Sequence, residues 1–105
     1  MVEIPEEIDV NGKKAKLIKY AVYRNAYPTD HGLLIAKAFY TCEENGRFFI
    51  YSTSWYHTLS NPIVTLYAIV NDLKSIEQLI DKLLIDPVYY EDEYVFRKRR
   101  KVSNA

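Results

Sequence analysis

Several aromatic and cationic residues in the middle of the chain are of the types that bind single-stranded nucleic acid. Aromatic rings stack on bases at roughly 1–3 kcal/mol per base, while lysine and arginine side chains follow the phosphates. The residues that carry this prediction are Lys37, Phe39, Arg47, Tyr51, Trp55 and Tyr67. The alternative is that these rings form a homodimer interface or a second core layer, because tyrosine is also a good strand former and the chain contains ten of them.

Five consecutive basic residues near the C-terminus form a second candidate site. They are Arg97, Lys98, Arg99, Arg100 and Lys101. Lysine and arginine that neutralise phosphates release counterions, so such binding weakens with salt and does not depend on base sequence. The same run would also suit a solubilising tail, a nuclear-import signal in a eukaryotic source, or a contact with the acidic N-terminus.

Residues that could carry catalysis are few. His31 and His57 are the only histidines, and with Asp30 or Cys42 they could form a base with its orienting carboxylate or a Cys–His pair. No glycine-flanked serine and no phosphate-binding glycine motif accompanies them. We therefore predict that the protein is not an enzyme.

A metal or cofactor is not predicted either. Glu91, Asp92 and Glu93 could offer oxygen ligands to a divalent ion, but consecutive strand residues point to opposite faces. Only Glu91 and Glu93 could share a site, and an acidic edge that discourages strand aggregation explains them as well. One cysteine and two histidines are too few for a structural zinc site in a monomer.

Length and composition indicate one domain in a reducing compartment. A chain of 105 residues has too little apolar surface for two cores, so residues 1–96 are predicted to form a single domain and 97–105 a basic tail. The lone Cys42 argues against a disulfide-stabilised secreted protein. The acidic N-terminus does not resemble a signal peptide, and no segment approaches the roughly 20 apolar residues of a membrane span. We expect a cytoplasmic protein, nuclear in a eukaryote.

Turn signals divide most of the chain into strands. Two Asn-Gly pairs, at 11–12 and 45–46, each predict a tight hairpin because both residues tolerate positive φ. A Pro-, Asp- and Gly-containing segment at 27–32 predicts a loop. The predicted strands are 7–10, 13–24, 33–42, 47–56 and 63–70.

One amphipathic helix is predicted at about 72–85. Apolar residues recur there at three- and four-residue steps, Asn71 or Asp72 could cap the start, and Asp86-Pro87 ends the pattern. Residues 88–96 are rich in tyrosine and valine and predict a final strand. The predicted fold is α+β: an antiparallel sheet of four to six strands with the helix on one face.

Alternation along the strands predicts what each face of the sheet carries. One set of positions is expected to lie under the helix: Leu34, Ala36, Ala38, Phe48, Ile50, Val64, Leu66 and Ala68. The aromatic and cationic candidates, together with Thr41, Phe49 and Thr65, are then expected on the opposite face. That face would be exposed and available to a ligand.

The order of antiparallel strands followed by one helix is similar in outline to two groups of single-stranded DNA binders, the Whirly type and the positive-cofactor-four type. These proteins dimerise and bind through their sheets. No motif of either group matches residue by residue, and the strand predicted after the helix departs from their order. Our first hypothesis is a small homodimeric nucleic-acid-binding protein that prefers single strands. The second is a protein-interaction module, such as a small regulator or inhibitor, that docks through its tyrosine-rich face.

Overall fold

The chain folds as an antiparallel sheet with one helix. The structure is a computed structural model that describes residues 2–87. Its elements are β1 (Glu7–Val10), β2 (Lys13–Thr29), β3 (Gly32–Glu44), β4 (Arg47–Tyr56), β5 (Ile63–Val70) and α1 (Lys74–Ile85). The strands pair in sequence order, and every neighbouring pair is antiparallel. The predicted α+β class and antiparallel sheet are confirmed.

Both Asn-Gly pairs form tight turns. Asn11 and Gly12 have φ of 53° and 84°, and Asn45 and Gly46 have φ of 54° and 76°. Positive φ at both central residues is the property of the type I′ turn, whose twist matches that of the flanking strands. The turns connect β1 to β2 and β3 to β4, as predicted.

The second strand is longer than the sequence predicted. β2 continues past residue 24 to Thr29. Its Pro28 lies opposite Leu33 near the end of the strand, a position at which a strand tolerates proline. The register of β2 against β3 shifts between Val22 and Tyr27, which absorbs the irregular stretch. The turn itself is short, and the Thr29 hydroxyl closes it by donating to the Gly32 carbonyl oxygen at 2.8 Å.

The helix begins and ends close to the predicted limits. The Asp72 side chain accepts the N–H of Lys74 at 3.0 Å, and the helix ends at Ile85, immediately before Asp86-Pro87. Its buried residues form one cluster with residues of the sheet: Ile76, Ile80, Leu83 and Leu84 with Phe39, Ile50 and Tyr67. Lys19 on β2 also reaches the helix, where its ammonium lies 2.7 Å from the Asp81 carboxylate.

The predicted division between the two faces was wrong for residues 36–41 of β3 and for part of β5. Residues directly opposite each other in an antiparallel pair share a face. Phe39 lies opposite Ser52 and packs with the helix residues, whereas Ala38 packs in a separate cluster with Ala15 and Tyr40. We call the face of Phe39 the helix side and the face of Ala38 the outer face.

The same rule places Val64 and Leu66 on the outer face, although the sequence predicted them under the helix. Val64 lies opposite Thr53 and Leu66 opposite Tyr51, which packs against the Ala38 cluster. Phe48, Ile50 and Ala68 do lie on the helix side, as expected. A register shift between Ile50 and Tyr51 explains how one strand could be right at one end and wrong at the other.

Some predictions fall outside the described residues. The final strand at 88–96, the acidic group Glu91 to Glu93 and the basic tail at 97–105 all lie beyond residue 87. Within residues 2–87, no helix combines the length and the apolar composition needed to cross a membrane.

Candidate protein-binding surface

The six aromatic and cationic candidates do not share one exposed surface. Lys37, Phe39 and Tyr67 are buried on the helix side, where the rings of Phe39 and Tyr67 meet edge to face with centroids 5.7 Å apart. Tyr51 and Trp55 are half-buried on the outer face. Arg47 is exposed at the start of β4. The structure therefore separates the residues that the sequence had grouped.

Lys37 has a buried environment that the sequence did not reveal. Its ammonium donates to the Ser54 hydroxyl at 3.1 Å and lies 5.9 Å from the centre of the Phe39 ring. Ser54 sits directly opposite Lys37 on β4, so the strand pairing itself brings the two groups together. A hydrogen bond and a ring face both favour the ammonium, which offsets part of the cost of burying it.

Cys42 lies far from both histidine candidates. The His31 ring contacts the Tyr56 ring at the turn between β2 and β3. His57 has an exposed side chain, and its backbone N–H donates to the Leu33 carbonyl oxygen at 2.8 Å. Cys42 lies near the other end of β3, where it packs with the outer-face cluster. At about 3.3 Å per residue, ten residues of strand separate it from the histidines by roughly 30 Å, so no Cys–His pair forms.

Metal ligands are not gathered in the part of the chain that the structure describes. No group of three or more histidine, cysteine, aspartate or glutamate side chains there could hold an ion. The three acids at 91–93 lie beyond that part, so their proposed role in a metal site stays untested.

The four lysines of β2 lie opposite or beside acids, so they do not form a cationic surface. Lys14 lies opposite Asp9 and Lys16 opposite Glu7, and Lys13 makes an ion pair with Glu44. Of the 14 acids and 14 bases, three acids and five bases lie beyond residue 87, so residues 2–87 hold eleven acids and nine bases. The described body is slightly acidic, which gives phosphates little long-range attraction.

The most unusual surface feature is the last strand of the sheet. Among the described strands β5 pairs only with β4, so its other edge has no strand beside it. It contains no charge and no proline, two features with which proteins protect an edge from pairing. Four of its eight residues are exposed apolar side chains: Ile63, Val64, Leu66 and Ile69. An edge of this kind is prepared to accept another strand.

The apolar side chains of β5 continue onto β4. Leu66 lies opposite Tyr51 and Ile69 opposite Phe49. Together these residues form what we call the outer patch: Val64, Leu66 and Ile69 on β5 with the half-buried Phe49, Tyr51 and Trp55 on β4. Contiguous apolar surface with aromatic members is typical of protein-binding sites.

The N-terminal segment covers only the other half of the outer face. Ile4, Ile8 and Val10 pack against the cluster of Ala15, Ala38 and Tyr40, and the Tyr40 hydroxyl donates to the Pro5 carbonyl oxygen at 2.7 Å. These contacts lie over β2 and β3. On β5, the outer-face residues Val64, Leu66 and Ile69 are exposed.

Two tyrosines of the outer face remain neutral well above physiological pH. Burial raises the pKa of Tyr40 to about 12. Burial also raises the pKa of Tyr51, with a further contribution from Cys42 beside it. Both phenols are therefore uncharged at neutral pH, although Lys13 and Glu44 carry charge close to Tyr51.

Sequence reasoning missed this surface because it assigned Val64 and Leu66 to the core. The signal that could have found it is the uncharged run at 63–70, which follows four strands of a meander and is the last strand among the described residues. Comparison with protein-family models, with curated proteins and with solved structures finds no match for the chain. Function is therefore inferred from the edge of β5 and the outer patch.

Proposed function

We propose that the chain is a protein-interaction module that binds an extended segment of another polypeptide along the free edge of β5. The observation that carries the proposal is this edge: eight residues with no charge, no strand beside it among residues 2–87, and four exposed apolar side chains. In this mode the main-chain groups of the edge supply affinity, and the side chains next to it select the sequence.

The outer patch would supply the side-chain selection. An added strand next to β5 places every second side chain on the outer face, beside Leu66 and Ile69. Tyr51 and Trp55 then extend the contact across β4. We expect the bound segment to carry apolar residues at alternate positions.

Nucleic-acid binding has less support and stays a prediction. Three of its six proposed sheet residues are buried, and the lysines of β2 lie beside acids. Its remaining basis is the basic run Arg97 to Lys101, outside the described residues.

The proposal is tested by selecting peptides from a displayed random library on the full-length chain. Leu66→Lys places a charge on the outer patch, and Val22→Lys is a matched control, because both residues are 51% exposed and Val22 lies on β2. Circular dichroism would verify that both variants are folded. We expect selected peptides with alternating apolar residues that bind Leu66→Lys at least about tenfold more weakly, since a lysine replaces about 1.5 kcal/mol of apolar contact.

Two results would count against the proposal. One is a set of peptides whose affinity falls equally with Leu66→Lys and Val22→Lys, which would place the binding elsewhere. The other is the recovery of no peptide that binds the folded wild-type chain.

A further inference from the structure

We propose that the strand that pairs with β5 is β5 of a second copy of this chain. The two strands would run antiparallel about a twofold axis and join two five-stranded sheets into one of ten strands. This inference rests on the proposed function, because it identifies the partner for the same edge. It also removes the unprotected edge, since each copy covers the other.

The sequence of β5 is complementary to itself. With the axis between Leu66 and Tyr67, Ile63 would lie opposite Val70 of the partner subunit and Val64 opposite Ile69 of the partner subunit. Thr65 would then lie opposite Ala68 of the partner subunit. Every β-branched apolar residue meets another one, and such cross-strand pairs stabilise a sheet. No charge lies anywhere along the pairing, so nothing opposes it electrostatically.

An irregularity in β5 is what makes this pairing geometrically consistent. Val64 and Ile69 are five residues apart and would point to opposite faces of a regular strand. Ala68 lies opposite Ile50, and Leu66 lies opposite the next residue of β4, Tyr51. Tyr67 is therefore an extra residue in β5. It puts Val64 and Ile69 on the same outer face, because their partners on β4 are Thr53 and Phe49. The two arms satisfy the condition that opposed residues share a face, because Ile63, Thr65, Ala68 and Val70 lie on the helix side and Val64 and Ile69 on the outer face. The central residues do not, because Leu66 lies on the outer face and Tyr67 on the helix side, so the pairing is interrupted at the axis.

The packing of Tyr67 explains why the irregularity is a fixed part of the fold. Its ring is buried against Phe39 on the helix side. The two arms of β5, at 63–65 and 68–70, keep a regular register with β4 on either side of it. The axis would pass through the bulge, so each arm pairs with the opposite arm of the partner subunit.

The dimer would also join the two outer patches. Leu66 and Ile69 flank the axis on the outer face, and Tyr51 and Phe49 lie behind them on β4. A twofold axis perpendicular to the sheet keeps the outer faces on one side. The joined surface is continuous across the new strand pair, with apolar side chains from both copies in contact.

Sedimentation of the full-length chain from about 1 µM to about 100 µM tests the dimer. Two Leu66 side chains, each about half exposed, would flank the axis, so Leu66→Lys should raise the dimer dissociation constant by about a hundredfold. Val22→Lys should leave it unchanged. A wild-type chain that is monomeric at all these concentrations would overturn the inference. Peptide binding by a monomeric chain does not depend on the dimer, so the proposed function could still stand.

Disulfide cross-linking tests the register. In a Cys42→Ser background, one protein carries Val64→Cys and another, with a larger tag, carries Ile69→Cys. Opposed residues of an antiparallel pair have Cα atoms roughly 4.5–5.5 Å apart, within the range a disulfide spans. We expect a mixed disulfide when the two proteins are combined and little cross-linking of either alone. Equal cross-linking in all three samples, or a dimer that Leu66→Lys does not weaken, would contradict β5 pairing.

Discussion

Removing part of the Leu83 side chain tests how the helix is held on the sheet. Leu83 is 0% exposed and belongs to the cluster that joins α1 to Phe39, Ile50 and Tyr67. Leu→Ala at a buried site costs about 2–5 kcal/mol from lost apolar transfer and the cavity left behind. Alanine is a slightly better helix former than leucine, which offsets only a few tenths of a kcal/mol. We expect Leu83→Ala to lower the free energy of unfolding by about 3 kcal/mol.

A loss of this size is large compared with the total stability of a small domain, which is about 5–15 kcal/mol. It corresponds to a fall in Tm of roughly 12–24 °C, taking about 4–8 °C per kcal/mol for a chain of this size. Urea unfolding followed by circular dichroism measures both variants. Ile85→Ala is the control on the same helix, since Ile85 is 73% exposed and should change the free energy by at most about 0.5 kcal/mol. Equal losses for Leu83→Ala and Ile85→Ala would refute the packing of this helix face.

Two further predictions concern the outer face and the C-terminal segment. Tyr40→Phe should lose about 1 kcal/mol at neutral pH, because the hydrogen bond to the Pro5 carbonyl disappears. The wild-type chain should also lose stability as the pH rises from 10 to 12. The pKa of Tyr40 is about 12 in the folded chain and the ordinary 10 in the unfolded chain, so over this range the unfolded chain gives up the proton more readily and is favoured. Unfolding by urea at pH 9 and pH 11 should show a smaller fall for Tyr40→Phe, and equal falls would contradict the burial of this hydroxyl. For the basic run, anisotropy of labelled single-stranded DNA should show binding whose slope against salt is about −0.7 per phosphate contact and which drops in a chain ending at Phe96. Absence of binding at low salt would remove the nucleic-acid hypothesis.

Local turn chemistry made much of the fold predictable. Asn-Gly pairs permit few backbone conformations other than a tight hairpin, so both hairpins followed from two dipeptides. The helix was equally accessible, because its apolar spacing, the Asp72 side chain that accepts the Lys74 N–H and the Asp86-Pro87 stop all agree. These elements depend on interactions within a few residues of the chain.

The assignment of residues to faces was less predictable because it depends on register. In β3 the residues at 36, 38 and 40 are Ala, Ala and Tyr and those at 37, 39 and 41 are Lys, Phe and Thr, so the alternation favoured the first set for the core under the helix. The structure instead buries residues of both sets, because this part of β3 is covered on both faces. The sequence predicted an exposed Lys37, but this side chain is buried, and its ammonium donates to the Ser54 hydroxyl and lies over the Phe39 ring. In β5 the extra residue Tyr67 reverses the alternation midway. Partners on distant strands decide both cases.

The candidate site was hidden for the same reason. A run such as 63–70 reads equally well as a buried central strand or as an exposed edge. Only the strand order shows that β5 stands at the end of the sheet. The apolar residues that the sequence assigned to the core are then exposed at this edge, where we propose that another chain binds.

Amide hydrogen exchange along β5 tests the central claim most directly. A strand paired on one side only leaves about half of its N–H groups open to water, and these should exchange quickly in dilute protein. We predict that fast-exchanging amides between Ile63 and Val70 become protected as the protein concentration rises or when a selected peptide is added, while the amides around Val22 do not change. Amides of β5 that are all strongly protected in a dilute, monomeric sample would contradict the account, because the edge would already be covered.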